Sequence, residues 1–172
     1  MRGSGPVLVA RSDSAAATRE IAAAIAELCR ARDLVALAGE MGSGKTTFAQ
    51  GFGAALGVSE PVTSPTFTLV HSYDTGRVEL HHADVYRLDW TSEVADLAFG
   101  ELLEAKGIVL VEWGDVVAAQ LGDHLEVRLE WVEPADIDVR RITVRPVGAG
   151  WATRWARLEA ALRPWREEGP AC

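Results

Sequence analysis

The sequence predicts an α/β fold: a mixed β-sheet, largely parallel in its core with antiparallel strands added, flanked by helices and followed by a C-terminal helix. Two continuous apolar runs of strand length, 33–39 (DLVALAG) and 107–113 (GIVLVEW), are typical of strands buried on both faces. Two later segments alternate apolar and polar residues, as antiparallel strands with one solvated face do. Segments with apolar residues at helical spacing separate these strands, so we expect helices to cover the sheet.

The composition is that of a globular domain with a substantial core: 172 residues, 48% hydrophobic and 24% charged. No apolar run approaches the ~18 residues that span a bilayer, and the first residues lack the pattern of a secretory signal. Cys29 and Cys172 belong to no C-x-x-C pair, which gives no support for a disulfide framework or a zinc knuckle. We therefore expect a cytoplasmic protein in a reducing compartment.

The charge of the chain is unevenly distributed. The net charge of −8 argues against strong nucleic-acid binding through the whole surface. The stretch 140–166, however, holds seven arginines and one acidic residue, Glu159, a net charge of +6 that leaves −14 for the remainder. A solvated face is the favoured interpretation, and a surface for an acidic partner is the alternative.

The N-terminal elements are a short strand and a long helix. The strand is predicted over 6–10 (PVLVA) and the helix within 14–32, with Asp13 or Ser14 as its N-cap and Cys29 inside it. The apolar stripe of the helix has i, i+4, i+7 spacing: Ile21, Ile25 and Leu28.

A second helix follows the buried run 33–39. It is predicted within 42–57 (GSGKTTFAQGFGAALG), and Gly57 should end it. Its expected core-facing residues are Phe48, Phe52 and Ala55.

The middle of the chain predicts a hairpin. The segment 61–73 (PVTSPTFTLVHSY) begins as a loop, because Pro61 and Pro65 block a helix, and ends as a strand rich in β-branched and aromatic residues. A turn is predicted at 74–76 (DTG) and the returning strand over 77–86 (RVELHHADVY).

The later segments complete the sheet. One or two short helices are expected within 92–105. The alternating segments 123–132 (DHLEVRLEWV) and 138–146 (DVRRITVRP) predict edge or antiparallel strands, with 133–137 as their connection.

Beyond residue 148 the pattern changes to one helical stripe of large apolar residues. Pro164 should end or kink this helix near its tail. We therefore divide the chain into a domain over 1–148 and an amphipathic helical tail over 149–172, packed on or beside the domain. The residues of the stripe are Trp151, Trp155, Leu158, Leu162 and Trp165.

The most specific motif is GEMGSGKT, from Gly39 to Thr46, which fits G-x-x-x-x-G-K-[ST] at every fixed position. A buried strand leads into it and an amphipathic helix leaves it, as a P-loop requires. Glycines let successive N–H groups point into one concavity, and a helix N-terminus adds partial positive charge. The residues predicted to bind nucleotide phosphates are Gly42, Ser43, Gly44, Lys45, Thr46 and Thr47.

A P-loop site also needs a metal. The hydroxyl of Thr46 is a suitable Mg²⁺ ligand, and a second acidic residue is expected at the end of a neighbouring buried strand. Glu112 occupies that place, and Trp113 follows it, either beside the nucleotide or in the core. The predicted fold is therefore P-loop NTPase-like.

Several classes of P-loop protein remain to be separated. A guanine-specific GTPase is excluded, because the chain contains no asparagine for N-K-x-D and no D-x-x-G. A small-molecule kinase needs a lid with arginines, and between Thr47 and Glu112 there are two, Arg77 and Arg87. A kinase and a nucleotide-sensing binding module stay open as alternatives to an ATPase.

Four motifs occur in order with tight spacing: GEMGSGKTTF, VTSPTFTLVHSY, LHHADVYRL and LVEWGD. In these motifs the chain resembles the TsaE (YjeE) family, bacterial ATPases of tRNA threonylcarbamoyladenosine biosynthesis. The resemblance covers about 7–145, and S-P-T-F-T and H-x-D-x-Y-R are more specific to the family than the P-loop motif. Gly114 departs from it, because the family often has proline after E-W, and the tail lies beyond the common domain.

The resemblance implies a site and a set of partners. ATP would be held by 42–47, and Mg²⁺ by Thr46 and Glu112. Asp84 would act near the γ-phosphate, so that Asp84, Lys45 and Glu112 are the implied catalytic residues. The segment 64–68 would form a switch-like loop, with Trp113 nearby.

The implied partners are TsaD and TsaB, which with this ATPase install threonylcarbamoyl on N6 of adenosine 37 of tRNAs that read codons starting with A. The tRNA would be reached through that complex, or through the arginine-rich stretch 140–166. For the adenine, spacing within the family matches Asp13 and Arg141, although Arg140 is equally well placed. Slow hydrolysis by the chain alone is expected, because the sequence offers no clear arginine finger. Arg87 is one candidate, and completion of the site by the partner complex is the favoured interpretation.

The adjacent histidines His81 and His82 raise the question of a metal site. On a strand their side chains point to opposite faces, so the two cannot converge on one ion without a bulge. His82 and Asp84 share a face but lack a third ligand nearby. We expect both histidines to be structural, with His82 close to the site, and Asp84 to be catalytic.

Overall fold

The helices and strands follow the predicted order. The computed structural model describes residues 5–63, 70–84, 100–102, 104, 106–112, 121–132 and 137–168. Most of the predicted helical segment 92–105 and of the connection 133–137 lies outside the described residues. In chain order the elements are β1 (Leu8–Ser12), α1 (Ala15–Leu28), β2 (Leu34–Ala38), α2 (Lys45–Leu56), β3 (Val70–Asp74), β4 (Glu79–Asp84), β5 (Ile108–Glu112), β6 (His124–Trp131), β7 (Arg140–Val147) and α3 (Trp155–Ala161).

The seven strands of the described residues form one mixed sheet in the order β1-β7-β6-β2-β5-β4-β3. Neighbours from β6 through β2 and β5 to β4 are parallel. The pairs β1–β7, β6–β7 and β3–β4 are antiparallel. The predicted fold class, a mixed sheet with a parallel core flanked by helices, is confirmed.

The two alternating segments, now β6 and β7, form an antiparallel pair, which is one of the two forms predicted for them, and neither is an edge strand. β6 also pairs with β2, and β7 also pairs with β1, so the edges of the sheet are β1 and β3. The alternation has another cause. One face of β6 and β7 packs on the core, while the other carries arginine and glutamate side chains.

The main core lies between the sheet and the helices α1 and α2. Phe48 and Phe52 of α2 are fully buried there, with their rings stacked 6.2 Å apart. Burial of such a side chain contributes roughly 1.5–3 kcal/mol. Ile21 and Ile25 of α1 and Leu37 and Leu110 of the sheet belong to the same core. A smaller apolar cluster covers the opposite face: Leu34, Ala36, Ala83, Val109, Val111 and Leu121.

The boundaries of α1 resolve two sequence expectations. Its N-cap is Ser14, whose hydroxyl accepts from the amide of Ala17 at 3.1 Å, rather than Asp13. The helix ends at Leu28, so Cys29 lies just beyond it instead of inside it. Burial raises the pKa of the Cys29 thiol. At the other helix, Gly57 ends α2 in a left-handed conformation, as predicted.

The tail contributes to the main core. Trp151, Trp155, Leu158 and Leu162 are buried in it. The helix α3 is shorter than the apolar stripe, since turns precede it and a 3₁₀ turn at Arg163–Trp165, which contains Pro164, follows it. The chain then reaches the edge strand β1, where Arg166 forms an antiparallel bridge with Ala10 and the Glu167 amide donates to the Val9 carbonyl at 2.9 Å.

Arg154 ties the tail to the rest of the molecule. Its guanidinium donates two hydrogen bonds to Asp33, at 2.6 and 2.9 Å, and a third to the carbonyl of Leu28 at the end of α1. It also stacks on Trp151. The hydrogen bond that Arg154 donates to Asp33 raises the pKa of Arg154.

The arginine-rich stretch 140–166 is therefore much less cationic toward solvent than its composition suggests. Arg154 is 3% exposed, and Arg141 and Arg145 are paired with Glu167 and Glu126. The exposed arginines that remain on the tail are Arg157, Arg163 and Arg166.

In the described part of the chain, no helix is long and apolar enough to cross a membrane.

Candidate nucleotide-binding site

The direction of the strands brings the residues of the predicted site together along one edge of the sheet, the edge where the parallel strands end. The parallel strands β2, β4, β5 and β6 all end at this edge, because parallel neighbours share one direction. The loop 39–44 connects β2 to α2 there. The antiparallel partners bring the start of β7 and the end of β1 to the same edge, where Ser12 lies opposite Arg140.

The loop 39–44 adopts the conformation of an anion cradle. Gly39, Gly42 and Gly44 have φ angles of 142°, 80° and 103°, in the region that favours glycine. At Gly39 a side chain would also meet the carbonyl of Leu129, 2.5 Å from an ideal Cβ. Gly44 precedes the first residue of α2, so the amides of the first helical turn face the loop.

Lys45 is folded into this loop. The side chain is 5% exposed, and its ammonium donates to the carbonyls of Gly39 at 2.7 Å and Glu40 at 2.8 Å. The hydroxyl of Ser43 lies 3.5 Å from the ammonium. A positive charge is therefore held at the mouth of the cradle, with donors that an oxyanion can take over.

Thr46 and Glu112 are brought together across 66 positions of sequence. The hydroxyl of Thr46, in the first turn of α2, donates to Oε1 of Glu112 at 3.2 Å. Glu112 ends β5 and is 2% exposed. Both groups offer oxygen ligands of the kind that Mg²⁺ prefers, and such sites commonly use one or two protein ligands together with substrate phosphates. The donor set therefore fits Mg²⁺.

Asp84 lies directly opposite Glu112 in the register of β4 and β5. Two residues earlier on the same strand face, His82 is completely buried, and its Nε2 lies 3.0 Å from Oε2 of Glu112. His81 points the other way, as the alternation of strand residues requires, and its Nδ1 lies 2.8 Å from the hydroxyl of Ser72. Burial lowers the pKa of His81, against a smaller opposing effect of Glu79.

Of the two arginines considered for the adenine, the structure brings Arg140 to the loop and not Arg141. Arg140 donates to the carbonyl of Ser43 at 2.9 Å and stacks 3.6 Å above the ring of Trp131. Burial lowers the pKa of Arg140. Arg141 points to the other face of β7, where a hydrogen bond with Glu167 raises its pKa.

The remaining predicted site residues make few contacts at the site or lie outside the described residues. Asp13 follows β1 at the same edge of the sheet and is exposed, in an ion pair with Arg11 at 3.2 Å. Thr47 follows Thr46 in the first turn of α2. Trp113, the switch-like segment 64–68 and Arg87 lie outside the described residues. Within the described ranges, no cluster of three or more His, Cys, Asp or Glu side chains could hold a metal by itself.

Sequence and fold similarities agree with this geometry. A model of the family described as threonylcarbamoyl adenosine biosynthesis protein TsaE matches residues 12–142. The chain is 40% identical over 132 residues to the tRNA threonylcarbamoyladenosine biosynthesis protein TsaE of Bacillus subtilis, covering 76% of this chain and 80% of that protein. It is 41% identical over 141 residues to the protein of the same name from Streptomyces coelicolor, covering 78% and 94%.

The crystal structure of Bacillus subtilis YdiB shares the fold, with a TM-score of 0.74 and 30% sequence identity, covering 91% of this chain and 96% of that one. The family match spans most of the chain and includes the whole cradle, Asp84 and Glu112. The chain therefore belongs to the TsaE family of tRNA threonylcarbamoyladenosine biosynthesis proteins.

Proposed function

We propose that this protein is the Mg²⁺-dependent ATPase of tRNA threonylcarbamoyladenosine biosynthesis. The observation that carries the proposal is the hydrogen bond between Thr46 and Glu112. It joins the P-loop to the acidic end of a neighbouring buried strand, which is where a P-loop ATPase holds its metal. The site thus combines a phosphate cradle, a cation and two oxygen ligands at one edge of the sheet.

Each residue then has a role in hydrolysis. The amides of the cradle and Lys45 bind the phosphates, and Lys45 exchanges its bonds to the Gly39 and Glu40 carbonyls for bonds to phosphate oxygens. Thr46 and Glu112 would hold Mg²⁺, which would supply neutralisation of the phosphate charge. Asp84, beside Glu112, orients the attacking water toward the γ-phosphorus.

Hydrolysis by the isolated protein should be slow. Arg140, the arginine that reaches the cradle, donates to the backbone carbonyls of Gly42 and Ser43. These bonds brace the loop and engage the guanidinium with the backbone. An arginine that stabilises the transition state contributes ~10³–10⁵ in rate where it is used. We infer that the partners TsaB and TsaD complete or regulate the site, in the cytoplasm, and that ATP hydrolysis resets the complex without transferring the threonylcarbamoyl group.

The tRNA is proposed to be reached through that complex. Four of the seven arginines in 140–166 are already bonded within the chain: Arg140, Arg141, Arg145 and Arg154. Their engagement favours a solvated or structural use of this stretch over a direct RNA surface.

The proposal is tested by measuring phosphate release from ATP with and without Mg²⁺, for the protein alone and after addition of TsaB and TsaD. The same mixture is assayed for modification of adenosine 37. We expect slow Mg²⁺-dependent release alone and modification that requires the protein and ATP. Phosphate appearing on a small-molecule acceptor instead would indicate a kinase. Nucleotide binding with no release under any condition would indicate a binding module.

A further inference from the structure

His82 is a buried polar residue to which the proposed ATPase mechanism gives no role. Its side chain is inaccessible to solvent, on the face of β4 that is covered by α2. Leu80 and Leu110, which flank it on β4 and β5, are both part of the main apolar core. An apolar side chain would suit this environment, so the imidazole needs a specific reason.

The hydrogen bond to Glu112 supplies that reason. Nε2 of His82 lies 3.0 Å from Oε2 of Glu112, while Oε1 accepts from the hydroxyl of Thr46. A carboxylate accepts, so Nε2 carries the hydrogen. One oxygen of Glu112 is thus held from β4, and the other faces the P-loop.

The other ring nitrogen has no comparable partner. Nδ1 of His82 is buried and has no hydrogen-bond partner among the described residues, and Nε2 of His81 and of His124 lacks one in the same way. What distinguishes His82 is its partner, the carboxylate of the proposed metal site. Here the bond to Glu112 is the polar contact that the ring makes in the described structure, at the cost of leaving Nδ1 unpaired.

We propose that His82 is a positioning residue that fixes the Glu112 carboxylate in the orientation that receives Mg²⁺. The proposal rests on the function proposed above, in which Thr46 and Glu112 are the metal ligands. Because His82 holds Oε2, the carboxylate cannot rotate Oε1 away from Thr46 without breaking a buried hydrogen bond. The metal then meets ligands that are already arranged. Groups that orient metal ligands in this way typically contribute 10–100-fold in metal affinity.

Two substitutions separate the hydrogen bond from the volume of the ring. H82M keeps a similar length without a donor, and H82Q places an amide N–H near the position of Nε2. The control is H81M, because His81 is the adjacent buried histidine on the opposite face of β4, bonded to Ser72. The affinity for ATP is measured by calorimetry for each variant with and without Mg²⁺, after its folding has been checked by circular dichroism.

Without Mg²⁺, we expect H82M to bind ATP with the affinity of the wild type. Adding Mg²⁺ should raise the ATP affinity of H82M 10–100-fold less than it raises that of the wild type. H82Q should retain most of that gain, and H81M all of it. A folded H82M protein with the full Mg²⁺ response would overturn the proposal. An equal loss in H81M would also overturn it, by assigning the effect to the core.

A second measurement does not depend on nucleotide. Urea unfolding midpoints are compared for H82M, E112M and the double variant in metal-free buffer. We expect the double variant to be no less stable than H82M, because it also removes the carboxylate that H82M leaves without its donor. Additive shifts would show that the two side chains are not coupled. If the wild type itself shows no Mg²⁺ response, the proposed function fails, and this cycle alone decides whether His82 holds Glu112.

Discussion

At the scale of single residues, Lys45 is the cation predicted to bind phosphate. Its ammonium donates to the carbonyls of Gly39 and Glu40. Phosphate oxygens accept bonds of this kind, so in the proposed function Lys45 exchanges the two carbonyls for oxygens of the ATP phosphates.

We expect K45A to weaken ATP binding about ten- to hundredfold, because a charge-assisted hydrogen bond contributes ~1.5–3 kcal/mol. Calorimetric titration with ATP measures the loss. R77A is the matched control, since Arg77 is an exposed cation in the β3–β4 turn and its removal changes the net charge equally. Equal affinities for K45A and the wild type would remove Lys45 from the phosphate site.

Asp84 is expected to act on turnover and not on binding. D84N preserves the shape of the side chain but not its charge, so ATP affinity should stay within a few-fold while hydrolysis falls roughly 10²-fold. Phosphate release is measured in the presence of TsaB and TsaD, the proposed partners. E27Q, an exposed change on α1, provides the control. Unchanged turnover in D84N would show that another group orients the water.

At the scale of elements, the P-loop is braced from the β6–β7 pair. Arg140 of β7 stacks on Trp131 of β6 and donates to the carbonyls of Ser43 and Gly42. The carbonyl and the N–H of a trans peptide point in opposite directions, so holding the Ser43 carbonyl turns the N–H of Gly44 away from Arg140. The brace thus sets the direction of a donor in the cradle.

R140A should therefore weaken ATP binding about tenfold, because the loop is no longer held in place. This loss corresponds to ~1.4 kcal/mol of binding free energy. R141A is the matched control, because the neighbouring arginine forms an exposed ion pair with Glu167 on the other face, and such pairs contribute ~0.2–1 kcal/mol to stability. ATP affinity is measured for both variants. A larger loss in R141A than in R140A would contradict the bracing role.

The same elements show what could be foreseen from sequence. The P-loop, its flanking strand and helix, and the hairpin turn carry local patterns of glycine, charge and apolar spacing, and these were predicted. The choice between Arg140 and Arg141 could not be predicted. Adjacent strand residues face opposite sides of the sheet, and the sequence pattern did not determine which of the two arginines faces the P-loop. The bond between His82 and Glu112 depends on the register of β4 against β5, which spans 30 residues and is set by tertiary pairing.

At the scale of the whole molecule, the tail is held to the domain by a buried ion pair. The side chains of Arg154 and Asp33 are 4% and 14% exposed and lie 2.6 Å apart at their closest atoms. Removing one partner of such a pair leaves an uncompensated charge in the interior, with a typical cost of 3–5 kcal/mol. The tail and the sheet should therefore unfold together.

R154A is expected to lower the free energy of unfolding by about 3–5 kcal/mol, measured by urea denaturation. R157A, an exposed arginine on α3, should change it by less than ~0.5 kcal/mol. Two separate unfolding transitions in the wild type would contradict a shared core. A small effect of R154A would show that Asp33 finds water or another partner when the guanidinium is lost.

The end of the tail also affects how the protein behaves toward copies of itself. An unpaired edge strand offers its amides and carbonyls to any other chain, which makes it a starting point for aggregation. In this molecule the bridge between Arg166 and Ala10 and the bond from the Glu167 amide to Val9 occupy the outer edge of β1. The residues that close the hydrophobic core thus lead into a short segment that covers the middle of this sheet margin and leaves less of it for intermolecular strand pairing.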